Sequence, residues 1–112
     1  MKPSTAAILA ALLLAACYNN EADGERLKAQ WQKQLAALPV GADSAQIKAW
    51  AWENRIFLTA DRQGYTAARE FLGGGDAACQ RWLVTLTVKT DAEGRVLDSQ
   101  VESACDRTVQ AV

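Results

Sequence analysis

The chain has 112 residues, room for one domain. Its 12 Lys+Arg stand against 13 Asp+Glu, a net charge of −1 that supplies neither a basic field for nucleic acid nor an acidic tail. Half of the residues are hydrophobic, enough to build a core, and there is no His, which removes Ser-His-Asp and Cys-His mechanisms and every His-ligated metal site. The expectation is a non-catalytic protein with no cofactor, no metal and no nucleic-acid partner. The acidic residues are spread along the chain, and nothing singles out a pair for acid–base work.

The chain opens with a positive charge at Lys2 and an unbroken apolar run of 11 residues, Ala6 to Ala16. A transmembrane helix needs roughly 20 apolar residues. The run instead has the length of a signal-peptide core. The charges from Glu21 onward would fall inside a membrane span and argue against an anchor helix. The run closes on Leu14-Ala15-Ala16-Cys17, which resembles the lipobox of bacterial lipoprotein precursors. In that family a diacylglyceryl group joins the Cys thiol and signal peptidase II cuts before the Cys. The freed amine is often acylated as well, typically by palmitate. An ordinary Ala-x-Ala cleavage fits less well, because Leu14 stands where a small residue is preferred.

The resemblance implies a signal peptide over 1–16, a lipid on Cys17, a polar tether over 17–23 and a single periplasmic domain over 24–112. Two or more acyl chains anchor stably, at about 0.8 kcal/mol per buried CH₂. Tyr18 follows the Cys. In enterobacterial lipoproteins an Asp at that position resembles an inner-membrane retention signal, so its absence leans toward an outer-membrane anchor facing the periplasm and leaves the inner membrane open.

Three cysteines make an odd count, and lipidation of Cys17 leaves Cys79 and Cys105. In an oxidising compartment two thiols in a small domain pair. No Cys-x-x-Cys is present, so the pairing is expected to be structural rather than redox-active.

Helices come next. From about Gly24 to Leu38, Leu27, Trp31, Leu35 and Leu38 make one apolar stripe of helical period. Pro39 and Gly41 are stop signals. Asp43-Ser44 offers cap chemistry for a second helix running to about Asn54, with Ile47, Trp50 and Ala51 inward. Trp31 and Trp50 are expected in the core. Trp52 lies off the stripe and is the candidate contact for a partner, a role in which Trp is enriched; the alternative has it leaning into a neighbouring strand.

Strands follow. Arg55 to Ala60 is a short β-prone run, and Asp61-Arg62-Gln63-Gly64 reads as a turn. Tyr65 to Leu72 fits a strand or a loop. Gly73-Gly74-Gly75-Asp76 is a loop without the Lys-Ser/Thr of a phosphate-binding motif. Arg81 to Lys89 alternates, with Trp82, Val84, Leu86 and Val88 on one face. Asp91-Ala92-Glu93-Gly94 is a hairpin turn into Arg95 to Ser103. Pairing Thr90 with Arg95 puts Val88 opposite Leu97 and Val84 opposite Val101, so the apolar faces agree. That register sets Gln80 across from Cys105, and reaching Cys79 requires a bulge or a cysteine just past the ladder.

The expected architecture is α+β: two N-terminal helices packed on a small antiparallel sheet of three to four strands that ends in a β-hairpin. Leu38-Pro39-Val40-Gly41-Ala42-Asp43-Ser44 ahead of a helix and a strand meander is similar to the helix–helix–sheet layout of BamE/SmpA-like outer-membrane lipoproteins. Glu53-Asn54-Arg55 replaces the Gly-x-Pro that closes the second helix there, so no site residue carries over. The functional expectation is a lipid-anchored accessory protein of the bacterial envelope that binds another envelope protein. The alternative is a protective lipoprotein of the immunity, enzyme-inhibitor or entry-exclusion type, which an acidic cleft or a loop carrying Asp76 would favour.

Overall fold

The computed structural model describes residues 20–73 and 79–105. Within them the chain forms helices α1 (Asn20–Leu35) and α2 (Ser44–Glu53) and strands β1 (Thr59–Asp61), β2 (Gly64–Leu72), β3 (Arg81–Thr90) and β4 (Val96–Cys105). The strands make one antiparallel sheet in the order β1-β2-β3-β4, and the fold class is α+β.

The alternation in β3 decides the sheet's two faces. Val84, Leu86 and Val88 are completely buried. Opposite them on the same face stand Ala67 and Tyr65 of β2 and Val101 of β4. Each fully buried aliphatic side chain contributes about 1.5–3 kcal/mol, so this face is one wall of the core, and the helices and their connections supply the other. The segment left open between strand and loop is therefore a strand, β2, paired with β3 along its whole length. Gly64 opens it at φ 147°, and a Cβ there would overlap the Val88 carbonyl oxygen, so only glycine brings the two backbones this close.

α1 lies over the strands with Leu27 and Trp31 buried. Residues 20–23, expected to be tether, are helical, and the side-chain amide of Asn20 is buried and donates to the carbonyls of Phe71 (3.2 Å) and Cys79 (2.7 Å). Residues 17–19 lie outside the described residues. The helix also ends three residues earlier than its stripe, and Leu38 reaches the core from the turn that follows. Gly24 faces the sheet where the Trp82 indole comes up against the helix backbone.

The connection to α2 is fastened to the hairpin. Gly41 N–H donates to the Val96 carbonyl at 2.8 Å, and Val96 N–H donates to the Ala42 carbonyl at 2.9 Å. α2 then starts with the expected cap. Asp43 accepts from the Gln46 N–H, and the Gln46 side chain accepts from the Asp43 N–H, both at 2.8 Å. Trp50 is buried and its indole N–H donates to the Gln34 carbonyl at 2.9 Å, tying α2 to the last turn of α1.

The hairpin turn at Asp91–Gly94 forms as expected, closed by the Asp91 carboxylate on the N–H groups of Glu93 and Arg95. Its register differs. β3 and β4 pair with Leu86 opposite Val101 and Val88 opposite Ser99, and a bulge sits between Lys89 and Thr90. The two-residue shift keeps the faces of β3, but the bulge inverts the start of β4: Val96 is buried and Leu97, expected inward, is 56 % exposed. The backbone bonds to Gly41 and Ala42 hold Val96 in place, and no alternation pattern contains them. Cys105 ends the ladder opposite Trp82, and Cys79 lies just before β3. The two are joined as a disulfide with Cα atoms 5.8 Å apart. Of the two routes to this pairing, a cysteine past the ladder is the one taken.

Two stability measurements follow. Gly24→Ala should lower unfolding free energy by roughly 1–2 kcal/mol in denaturant melts, because displacing the packed indole outweighs the propensity gain of alanine. Removing the bridge in Cys79→Ala/Cys105→Ala should cost about 3 kcal/mol for a loop of this length, and non-reducing mass spectrometry of the native protein should find neither thiol free.

Candidate functional site

α2 carries Lys48 and Trp52 one turn apart, on the same side of the helix. Trp52 is 84 % exposed, as its place off the apolar stripe implies. The helix then stops in an unusual way. Asn54 is the C-cap, and the next two N–H groups turn back, Arg55 to the Trp52 carbonyl at 3.2 Å and Ile56 to the Ala51 carbonyl at 2.9 Å. This is the paired closure of a Schellman motif. It requires a left-handed residue, and Arg55 occupies that position at φ 56° where glycine is the usual choice.

Closing the helix uses Arg55 and Ile56, so the run expected as a strand over 55–60 pairs only from Thr59 onward. Between the cap and β1 the burial alternates. Ile56 is buried, Phe57 is 91 % exposed and Leu58 packs against the core. Phe57 and Trp52, both exposed, line a groove of about 750 Å³ between α2 and β1. Ile56, Leu58 and Tyr65 line it, and among the described residues Lys48 and Arg55 bring its charges. Ala60 brings the edge strand into the wall. The Tyr65 hydroxyl lies 3.3 Å from Ser44 Oγ, which fixes it to the start of α2. Glu53 stands between Trp52 and Arg55 in the chain, exposed and outside the lining, and the Asp61 carboxylate at the end of β1 is held in the β1–β2 turn by the N–H groups of Gln63 and Gly64.

The arrangement is apolar, rimmed by aromatic rings and cationic. It presents no pair of acid and base and no nucleophile with a partner. Among the described residues no three of Asp, Glu and Cys converge to hold a metal ion, and no helix is long and apolar enough to cross a membrane.

Of the residues singled out in the sequence, Trp52 lies in this groove. Cys79 and Cys105 form their bridge at the other end of the sheet, near Phe71 and Trp82. Cys17 and Asp76 lie outside the described residues. Sequence reasoning missed Lys48, Arg55 and Phe57. Two signals were present. The second helix has no Gly at its end, so a non-glycine residue must turn the chain. In Ile56-Phe57-Leu58 three apolar residues stand in a row, and a chain alternating between core and solvent must expose one of them.

Comparison of the chain with protein-family models, with curated proteins and with solved structures finds no match.

Arg55→Gly should raise stability by roughly 0.5–1 kcal/mol. Relief of the left-handed strain exceeds the entropy that glycine adds to the unfolded chain. Denaturant melts of the two proteins check this; a loss of stability would mean that the Arg55 side chain makes contacts worth more than its backbone strain.

Proposed function

We propose that this protein is a lipid-anchored, non-catalytic accessory protein of the bacterial envelope that works by binding another protein. The observation that carries the reading is the groove between α2 and β1, where two large aromatic side chains stand in solvent beside an edge strand. Such side chains cost solubility in a monomer and mark contact surfaces. The anchor reading rests on Leu14-Ala15-Ala16-Cys17 behind its apolar run, with the outer membrane as the expected leaflet-bearing bilayer and the periplasm as the compartment. In this reading both helices form one layer against the sheet, supported by Ile47, Trp50 and Ala51 of α2 sharing a single core with Val84, Leu86 and Val88. A disulfide between Cys79 and Cys105 suits an oxidising compartment. The protective alternative looked to an acidic cleft, and the groove instead carries Lys48 and Arg55.

Replacing Cys17 with Ala should move the protein from the membrane fraction to the soluble fraction of the envelope. Unchanged retention in the membrane overturns the lipid anchor. Crosslinking from Trp52 or Phe57 in intact envelopes should yield one stoichiometric protein adduct that crosslinking from Lys89, on the opposite face of the sheet, does not.

A further inference from the structure

We infer that the groove receives an extended segment of a partner protein, acidic and apolar by turns, laid alongside β1. This deepens the binding reading above and rests on it. Three observations select that occupant.

The first is the edge. β1 ends the sheet, and all three of its residues are exposed. An added strand is the natural complement to such an edge, and its main chain supplies hydrogen bonds whatever its sequence. At only three residues β1 offers a short template, so side-chain contacts in the groove must supply the rest of the affinity.

The second is chemistry. Among the described residues the charged groups lining the groove are Lys48 and Arg55, while the exposed Glu53 between Trp52 and Arg55 in the chain stays outside the lining. Trp52 and Phe57 flank an apolar interior of Ile56, Leu58 and Tyr65. An extended peptide alternates its side chains. One set can enter the apolar lining while the other meets the two cations, which fits a segment with carboxylates interleaved among aliphatic residues. Electrostatic complementarity of this kind sets specificity and approach.

The third is position, and it separates a protein segment from a lipid surface. Aromatic rings beside cations also suit an anionic bilayer. However, α1 starts at the Phe71 and Cys79 end of the sheet, where Asn20 is fastened. Only Tyr18 and Asn19 separate Asn20 from Cys17, a reach of about 10 Å. Tyr65 lies six residues up β2 from Phe71, some 20 Å along the strand. The first described residue, Asn20, is thus fastened at one end of the sheet and the groove lies at the other, which in the anchor reading proposed above sets the groove away from the bilayer.

The test uses the full chain with and without Cys17→Ala, titrated against short fluorescent peptides. One set alternates Asp or Glu with Leu, Val or Phe, and a matched set carries Lys in place of the acids. Members of the acidic set should bind both forms equally, and the basic set should not bind. Lys48→Glu with Arg55→Asn should weaken binding about 3- to 10-fold; asparagine tolerates the left-handed turn, so the closure of α2 survives. Trp52→Ser and Phe57→Ser, both at exposed positions, should each weaken it about tenfold. Binding should slow amide exchange over Thr59–Asp61.

Failure of every acidic peptide to bind, equal binding of the basic set, or unchanged exchange in β1 overturns the inference. So does Trp52- and Phe57-dependent binding to phosphatidylglycerol vesicles without peptide binding, which would make the groove a lipid contact. Fractionation of Cys17→Ala is read separately. A variant still in the membrane with peptide binding intact refutes the anchor alone, and a released variant that binds no peptide refutes the groove alone.

Discussion

The apolar face of β3 is the surface on which the rest of the molecule is assembled. Val84, Leu86 and Val88 have no exposure at all, and each has a neighbour in β2 and in β4 on the same face. A strand buried on one face and paired on both edges has little freedom of register, because a one-residue slip would turn its whole apolar set to water. Around that strand the other elements take fixed places. β4 returns through the Asp91 turn, and α1 covers the strands. The Cys79–Cys105 bridge closes the end where β3 begins and β4 stops.

α1 is held at both ends by contacts of different kinds. At its start the buried amide of Asn20 satisfies two carbonyls from the segments flanking the loop between β2 and β3, and Gly24 admits the Trp82 indole. Glu25 accepts from Ser103 of β4 at 3.0 Å. Past its other end, Gly41 and Ala42 extend the pairing of Val96. Burial supplies the energy, and these polar contacts settle where along the sheet the helix lies, since a buried amide or carbonyl without its partner costs about 1–3 kcal/mol.

Features that one element decides for itself were readable in the sequence. The alternation of β3, the Asp43 capping chemistry of α2, the turn at Asp91 and the solvent position of Trp52 all follow from spacing within a few residues. The pairing of Cys79 with Cys105 was readable from parity once Cys17 is set aside as the cysteine of the lipobox-like run. What was not readable depends on distant backbone. The bulge that turns Val96 inward and Leu97 outward is fixed by hydrogen bonds to Gly41 and Ala42, more than 50 residues away in the chain. That 20–23 is docked helix rather than tether depends on the carbonyls of Phe71 and Cys79 that receive the Asn20 amide. The groove was legible in one residue of four, because it is made where a helix end, a linker and an edge strand meet, and no single period describes that junction.

The same comparison shows where local rules give way. In the core each local preference agrees with the global fold, as expected of a sequence that specifies one structure. At the end of α2 they part: a left-handed turn is made by Arg55 where glycine would cost less, and Phe57 and Trp52 are left in water where polar residues would be cheaper. None of these choices stabilises the folded chain, and all three fall on one rim within six residues of sequence. Departures from the stable choice that gather at one place, on a groove beside the sheet's edge strand, are what the proposed partner contact would account for. The division of labour is then physical. β3, β4, α1 and the inward face of α2 carry the stability, and that surplus tolerates the left-handed Arg55 and the exposed rings at the end of α2.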